Sequence, residues 1–281
     1  MKKIVFGILT IALLPLFFSC SSEPDNNDDI ETDTTQVIDI KVKANAQNIF
    51  NSVPGTNEIT KMVQDAGLEY DASLLNDPDK YKTYSTDDYK ALNLGVYGTD
   101  LSYTSTFEQT QESMLYLKCV NQLCTGLGIS GVFDEKTTDR IDANKENRDS
   151  LLNIISKSFE QADRFLRENQ RAHSSALLVA GGWIEGTYIS VKLARLSKSR
   201  AITEELIKQK SSLKELIALM EGYPASEDTK YVHDELRALQ TPFEELSGKY
   251  NALDKKAELD PEMFKDIDDK ISIIRKKITQ N

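Results

Sequence analysis

Apolar side chains recur every three or four positions along most of the chain, and few runs alternate with a period of two, so the pattern predicts helix almost throughout. The periodicity places helices at about 57–66, 87–103, 105–126, 135–144, 147–170, 172–197, 201–221, 227–240, 242–253 and 261–279. Val37 to Val42 is the single candidate strand. Several boundaries carry chemical marks. Asp260 before Pro261 pairs a helix cap with a proline at the first helical position, and Thr241-Pro242-Phe243-Glu244 offers the same together with a T-x-x-E box. Pro242 therefore restarts or kinks a helix. Gly126 and Gly128, and Gly222 before Pro224, mark stops.

The last eighty residues carry a regular seam. Ile202, Leu206, Gln209, Leu213, Leu216 and Met220 step by four and three, as do Val232, Leu236, Leu239, Phe243, Leu246, Tyr250 and Leu253. Phe264, Ile267, Ile271, Ile274 and Ile278 continue the stripe. Such a stripe lets helices lie nearly antiparallel, and the short links near 222–227 and 254–260 favour hairpins over an intermolecular coiled coil. The segment Ala176 to Val191 differs: it is apolar on nearly every face and holds one charge, Glu185, which predicts a central helix surrounded by others. Gly181, Gly182 and Gly186 each cost about 1 kcal/mol against alanine in a helix, so they are expected to admit a second backbone at close range. The fold class is all-α: a multi-helix bundle with a buried central helix and C-terminal antiparallel hairpins.

The first residues change the picture of where this bundle works. Lys2 and Lys3, the apolar stretch Ile4 to Phe18, and Ser19 before Cys20 form a lipoprotein signal, with Phe17 where such boxes usually carry leucine. The stretch is too short to span a bilayer comfortably. Acylation of Cys20 is expected instead, each buried methylene contributing about 0.8 kcal/mol to the hold on the membrane. The following SSEPDNNDDIETDTTQ holds six acidic and no basic residues, the composition of an extended tether and also similar to a surface-export signal. The chain thus divides into a cleaved signal at 1–19, an acidic tether at 20–43, a helical core at 44–198 and a C-terminal hairpin region at 199–281 packed on the core. Loss of Lys2 and Lys3 turns the net charge of −11 into −13, which argues against nucleic acid as a partner. Cys119 and Cys124 point about 140° apart on one helix, so buried thiols are expected in place of a disulfide or a metal pair.

The runs LNLGVYGTDLSYTSTFEQTQESMLYLKCVNQL and SALLVAGGWIEGTYISVKLA, with the segment between them, resemble a group of uncharacterised all-helical lipoproteins of Bacteroidota over residues 90–197. The G-x-Y-G-x-D and G-G-W-I-E-G runs carry the likeness. It implies an all-helical fold and an envelope location, and it transfers no catalytic residue.

Two carboxylates stand in apolar surroundings, Asp100 between Leu92 and Tyr103, and Glu185 in the central helix. A buried carboxylate must be paired, hydrogen-bonded or protonated. One reading joins Asp100 and Glu185 with Tyr97, Tyr103, Trp183 and Tyr188 into a pocket for a small ligand or for acid/base chemistry. The other, which we favour, is an internal network with Arg140, Arg148, Arg164 or Arg171 as counter-ion. Gly126 to Gly131 spells G-x-G-x-x-G after a helix instead of a strand, so it is expected to cap that helix. His173 and His233 lack the E-x-x-H and H-E-x-x-H contexts, and neither G-x-S-x-G nor a P-loop occurs. Of 11 tyrosines, those at 70, 81, 84, 89, 97, 103 and 116 crowd one region that could form a binding face, with Tyr81, Tyr84 and Tyr89 in a polar, loop-like stretch. The expectation is a lipid-anchored, non-enzymatic binding or scaffolding protein of the outer membrane without cofactor or metal. Its partners would be the membrane, through Cys20, and an envelope protein or glycan; the alternative is an enzyme or ligand-binding protein built on Asp100 and Glu185.

Overall fold

A computed structural model describes Val63, residues 66–129 and residues 131–280. The candidate strand at 37–42, Cys20 with its tether, and nearly all of the predicted helix at 57–66 lie outside the described residues. Among the described residues there are nine α-helices and no strand, an all-α bundle as the periodicity predicts. They are α1 (Asp87–Thr106), α2 (Thr110–Gly126), α3 (Glu135–Ala143), α4 (Arg148–Glu168), α5 (Ala172–Ser197), α6 (Arg200–Glu221), α7 (Lys230–Ala238), α8 (Gln240–Ala252) and α9 (Lys265–Thr279). Short 3-10 turns at Ala72–Leu74, Pro78–Lys82 and Pro261–Phe264 complete the list.

α5 is the central helix, packed on α1, α4, α6 and α9, and its contact with α1 is the most extensive in the fold. The crossing depends on glycine. A Cβ on Gly181 would overlap the Leu92 carbonyl, and one on Gly95 would overlap the backbone of Leu178 and Gly182. Gly182 itself is less constrained: its Cβ would meet nothing nearer than 3.7 Å. Close approach thus requires Gly181 and Gly95, the latter on the partner helix. Gly98 of α1 leaves space for the Phe159 ring of α4 in the same way.

The seam residues Ile202 to Met220 of α6, Val232 to Leu246 of α7 and α8, and Phe264 to Ile278 around α9 are buried as the stripe predicts, while Tyr250 and Leu253 are only partly covered. Gly128 closes α2 in the left-handed region at φ +70°, with Ile129 N–H bonded to the Cys124 carbonyl and Gly128 N–H to that of Thr125. The G-x-G-x-x-G letters are therefore a helix stop. The expected helix 105–126 is interrupted: α1 runs on to Thr106 and ends with Glu108 at φ +58°, and α2 starts at Thr110. Gln170 and Lys198 close α4 and α5 with the same left-handed geometry. The T-x-x-E box at Thr241 caps nothing. The break falls at Leu239, because Pro242 has no N–H to offer the Ala238 carbonyl one turn back. Gly222 ends α6 in the right-handed region, at φ −66°.

Candidate functional site

Tyr97, Asp100 and Tyr103 follow at three-residue steps along one face of α1, and Glu185 and Tyr188 share a face of α5. Asp100 and Glu185 are both fully enclosed. α9 supplies what neither helix carries, the Arg275 guanidinium. Its Nε donates to Glu185 Oε2 at 2.6 Å and its Nη2 to Oε1 at 2.8 Å, the bidentate geometry that makes a carboxylate tolerable inside a protein. Nη2 also donates to the Leu74 carbonyl at 3.1 Å, and the Tyr188 ring lies 4.3 Å beneath the guanidinium.

Asp100 Oδ2 accepts the Asn76 N–H at 3.1 Å, whereas its buried Oδ1 accepts from no donor. Burial first, and then the neighbouring charge of Glu185, push the Asp100 carboxyl well above the usual carboxylate range, against the pull of Arg275 and the Asn76 N–H. Burial also raises Glu185, and the Arg275 charge and hydrogen bonds, with one from Asp100, only partly offset it. Of the two, Asp100 is the better placed to hold a proton, because the guanidinium contacts go to Glu185. As an acid, Asp100 turns the empty Oδ1 into a donor toward Glu185, and the cluster of one acid, one carboxylate and one guanidinium carries no net charge.

The cover over this cluster is the strap Asp71–Thr86, formed by the first two 3-10 turns. Asp71 and Asp77 start those turns, accepting from Ser73 N–H and Asp79 N–H at 2.9 Å each. Side chains from the helices grip its backbone. Tyr97 donates to the Asp77 carbonyl at 2.7 Å, Tyr116 to that of Asn76 at 2.9 Å and Cys119 to that of Pro78 at 3.2 Å. Asp71 N–H donates to the Tyr103 hydroxyl at 3.3 Å. From the strap, Tyr84 accepts from the Asn76 side chain at 3.2 Å and donates to the Thr279 carbonyl at 3.3 Å.

Five of the six residues singled out in sequence thus gather around one assembly, with Tyr97 and Tyr103 serving as strap holders. Trp183 does not join. Two residues from Glu185, it faces the other side of α5 and packs on Phe243 of α8, ring centroids 6.1 Å apart. The counter-ion also differs from expectation: none of Arg140, Arg148, Arg164 and Arg171 reaches either carboxylate, and Arg148 and Arg171 turn to Glu108, Asp149 and Asp87. Arg275 had a signal of its own. Ile271, Ile274, Arg275 and Ile278 follow the i, i+3, i+4, i+7 rule, so a cation sits within an apolar stripe. Tyr84, set in a polar stretch, is buried and stacks toward Tyr97 at 6.4 Å, which in turn meets Tyr116 at 6.2 Å. These tyrosines fill the interior beneath the strap.

Elsewhere, His173 lies 3.4 Å from Asp88, which also accepts from Ser226 at 2.6 Å. Asp88 sits between the other two groups, so no histidine relays a proton from the serine to a carboxylate. A surface groove of about 300 Å³, lined by Gly128, Val132, Arg164 and Phe165 among others, contains none of the six residues. Cys119 and Cys124 are buried free thiols. Among the described residues no group of three or more His, Cys, Asp and Glu is arranged to hold a metal, and no helix is long and apolar enough to cross a membrane. Comparison with known proteins finds no matching family model, no matching curated protein and no matching solved structure.

Proposed function

We propose that this chain is a lipid-anchored helical body of the outer envelope that binds or scaffolds and carries out no catalysis. The observation that supports this reading best is the state of its two unusual carboxylates. General acid/base chemistry needs a group within hydrogen-bond reach of substrate. Glu185 is fully enclosed and committed to Arg275 through two hydrogen bonds, and Asp100 is fully enclosed beneath the Asn76 amide. Both are used to join α1, α5, α9 and the strap. On this reading the acyl chains on Cys20 and the acidic tether hold the body at the membrane, where its outer surface engages an envelope protein or glycan. The likeness to helical Bacteroidota lipoproteins points the same way, and the acidic charge disfavours nucleic acid.

Labelling of cells with a palmitate analogue, followed by membrane fractionation, tests the anchor. The full chain is expected to take up the label and sediment with outer membranes, and Cys20→Ala to lose both properties. An unlabelled or freely soluble wild-type protein contradicts the proposal.

A further inference from the structure

We propose that the strap Asp71–Thr86 is a latch, shut by the Asp100–Glu185–Arg275 cluster and freed when Asp100 gives up its proton. Four of the strap's side chains, Leu74, Leu75, Asn76 and Tyr84, are buried, three of them in the main core, and the rest are partly or fully exposed. Polar bonds fasten it as well. Two of its fasteners come from the cluster itself, the Asn76 N–H on Asp100 and the Arg275 guanidinium on the Leu74 carbonyl. These bonds sit in a site that holds one Arg against two carboxyls.

While Asp100 is an acid, the enclosed charges cancel. Its ionisation places a second negative charge beside Glu185 in a site closed to water, and one guanidinium does not balance two carboxylates. The bond that breaks is the Asp100 O–H, and its proton passes to water. Lifting the strap lets water reach the new charge, so the open form is the one that ionisation favours. The other groups around Asp100 do not compete. Burial pushes Tyr70, Tyr103 and Cys119 up to about 12, and Tyr97 and Tyr116 further in the same direction, so all five stay neutral while the acid titrates. Tyr84 is raised by burial as well, and Arg275 stays charged.

The sign follows from linkage. With the strap shut, burial and the charge of Glu185 hold the Asp100 carboxyl well above the usual range, and access of water on opening lowers it. Between the open and the shut values the open fraction rises about tenfold per pH unit, and above the upper one it levels off.

Hydrogen exchange on the full chain tests the latch without reference to the anchor. Strap amides are expected to exchange ahead of those in the middle of α5, at a rate that climbs about tenfold per pH unit after correction for intrinsic exchange, and to lose that climb in Asp100→Asn. Strap exchange that is flat with pH in the wild type, that keeps its slope in Asp100→Asn, or that waits for global unfolding overturns the proposal. A carboxyl-carbon NMR titration of the wild type covers the case of a variant that does not fold. One aspartate titrating far above the rest is expected, and all aspartates titrating in the ordinary range overturn the latch.

Discussion

Glu185 lies at a depth where a lone carboxylate would neutralise itself, and a guanidinium that meets both of its oxygens pulls against that burial. The thiols of Cys119 and Cys124 have no such partner, and burial, joined at Cys119 by the charges of Asp100 and Asp79, pushes each up to about 12. At pH 8 the thiolate fraction of either is therefore on the order of one in ten thousand. Iodoacetamide at that pH is expected to leave both unmodified in the folded protein and to modify both in urea, as peptide mapping reports; rapid labelling of either in the native protein would show that its site opens. At this scale the sequence marks a misfit more clearly than its remedy. Asp100 and Glu185 stand out because charge is rare in an apolar run. Asn76, which supplies a backbone N–H, gives no signal at all, since a backbone donor is common to nearly every residue.

Helix positions follow from periodicity because the bundle buries one face of each helix, and α4, α5 and α6 come within a few residues of the predicted spans. The end of α1 was less legible than those of α4 and α5, which fall within two residues of the predicted ones. Glu108, Gln170 and Lys198 take the left-handed conformation that glycine usually supplies, so the break between α1 and α2 has no compositional mark. The glycines of α5 were informative as a group but not one by one, since the requirement at each depends on α1. Gly181→Ala drives a methyl into the Leu92 carbonyl, a backbone atom that cannot turn aside, and is expected to cost at least about 3 kcal/mol. Gly182→Ala meets only ordinary contacts and is expected to be neutral, or to stabilise by up to about 1 kcal/mol through helix propensity. Urea unfolding of the two variants compares them directly; equal effects would mean that the helices do not cross at this point.

Across the whole molecule, the cluster joins the strap and the adjoining α1 to α5 and α9, which are far away in sequence and meet them only in the finished fold. Among the 34 lysines and arginines, pattern along the chain marks Arg275 as a cation in an apolar stripe but does not assign it to Glu185, because that pairing depends on which helix the C-terminal hairpins lay against α5. Packing of α9 on α5 decides it in favour of Arg275. Another buried carboxylate repeats the device. Asp268 takes Lys192 and Arg195, which draw its pKa below the usual range despite partial burial, so α9 is fastened to α5 at two levels by ion pairs. Stability from Asp268 is present above the ordinary aspartate range and is lost as pH falls through its depressed folded value, opposite in sign to Asp100.

The central claim, that the enclosed carboxylates serve the fold, is tested most directly by the thermal melt of Glu185→Gln. The variant leaves the buried Arg275 without its counter-charge, which is expected to cost about 3 kcal/mol and to lower the midpoint by roughly 6–12 °C. A melt unchanged from wild type would contradict the claim and return Glu185 to the list of residues held in place for a ligand.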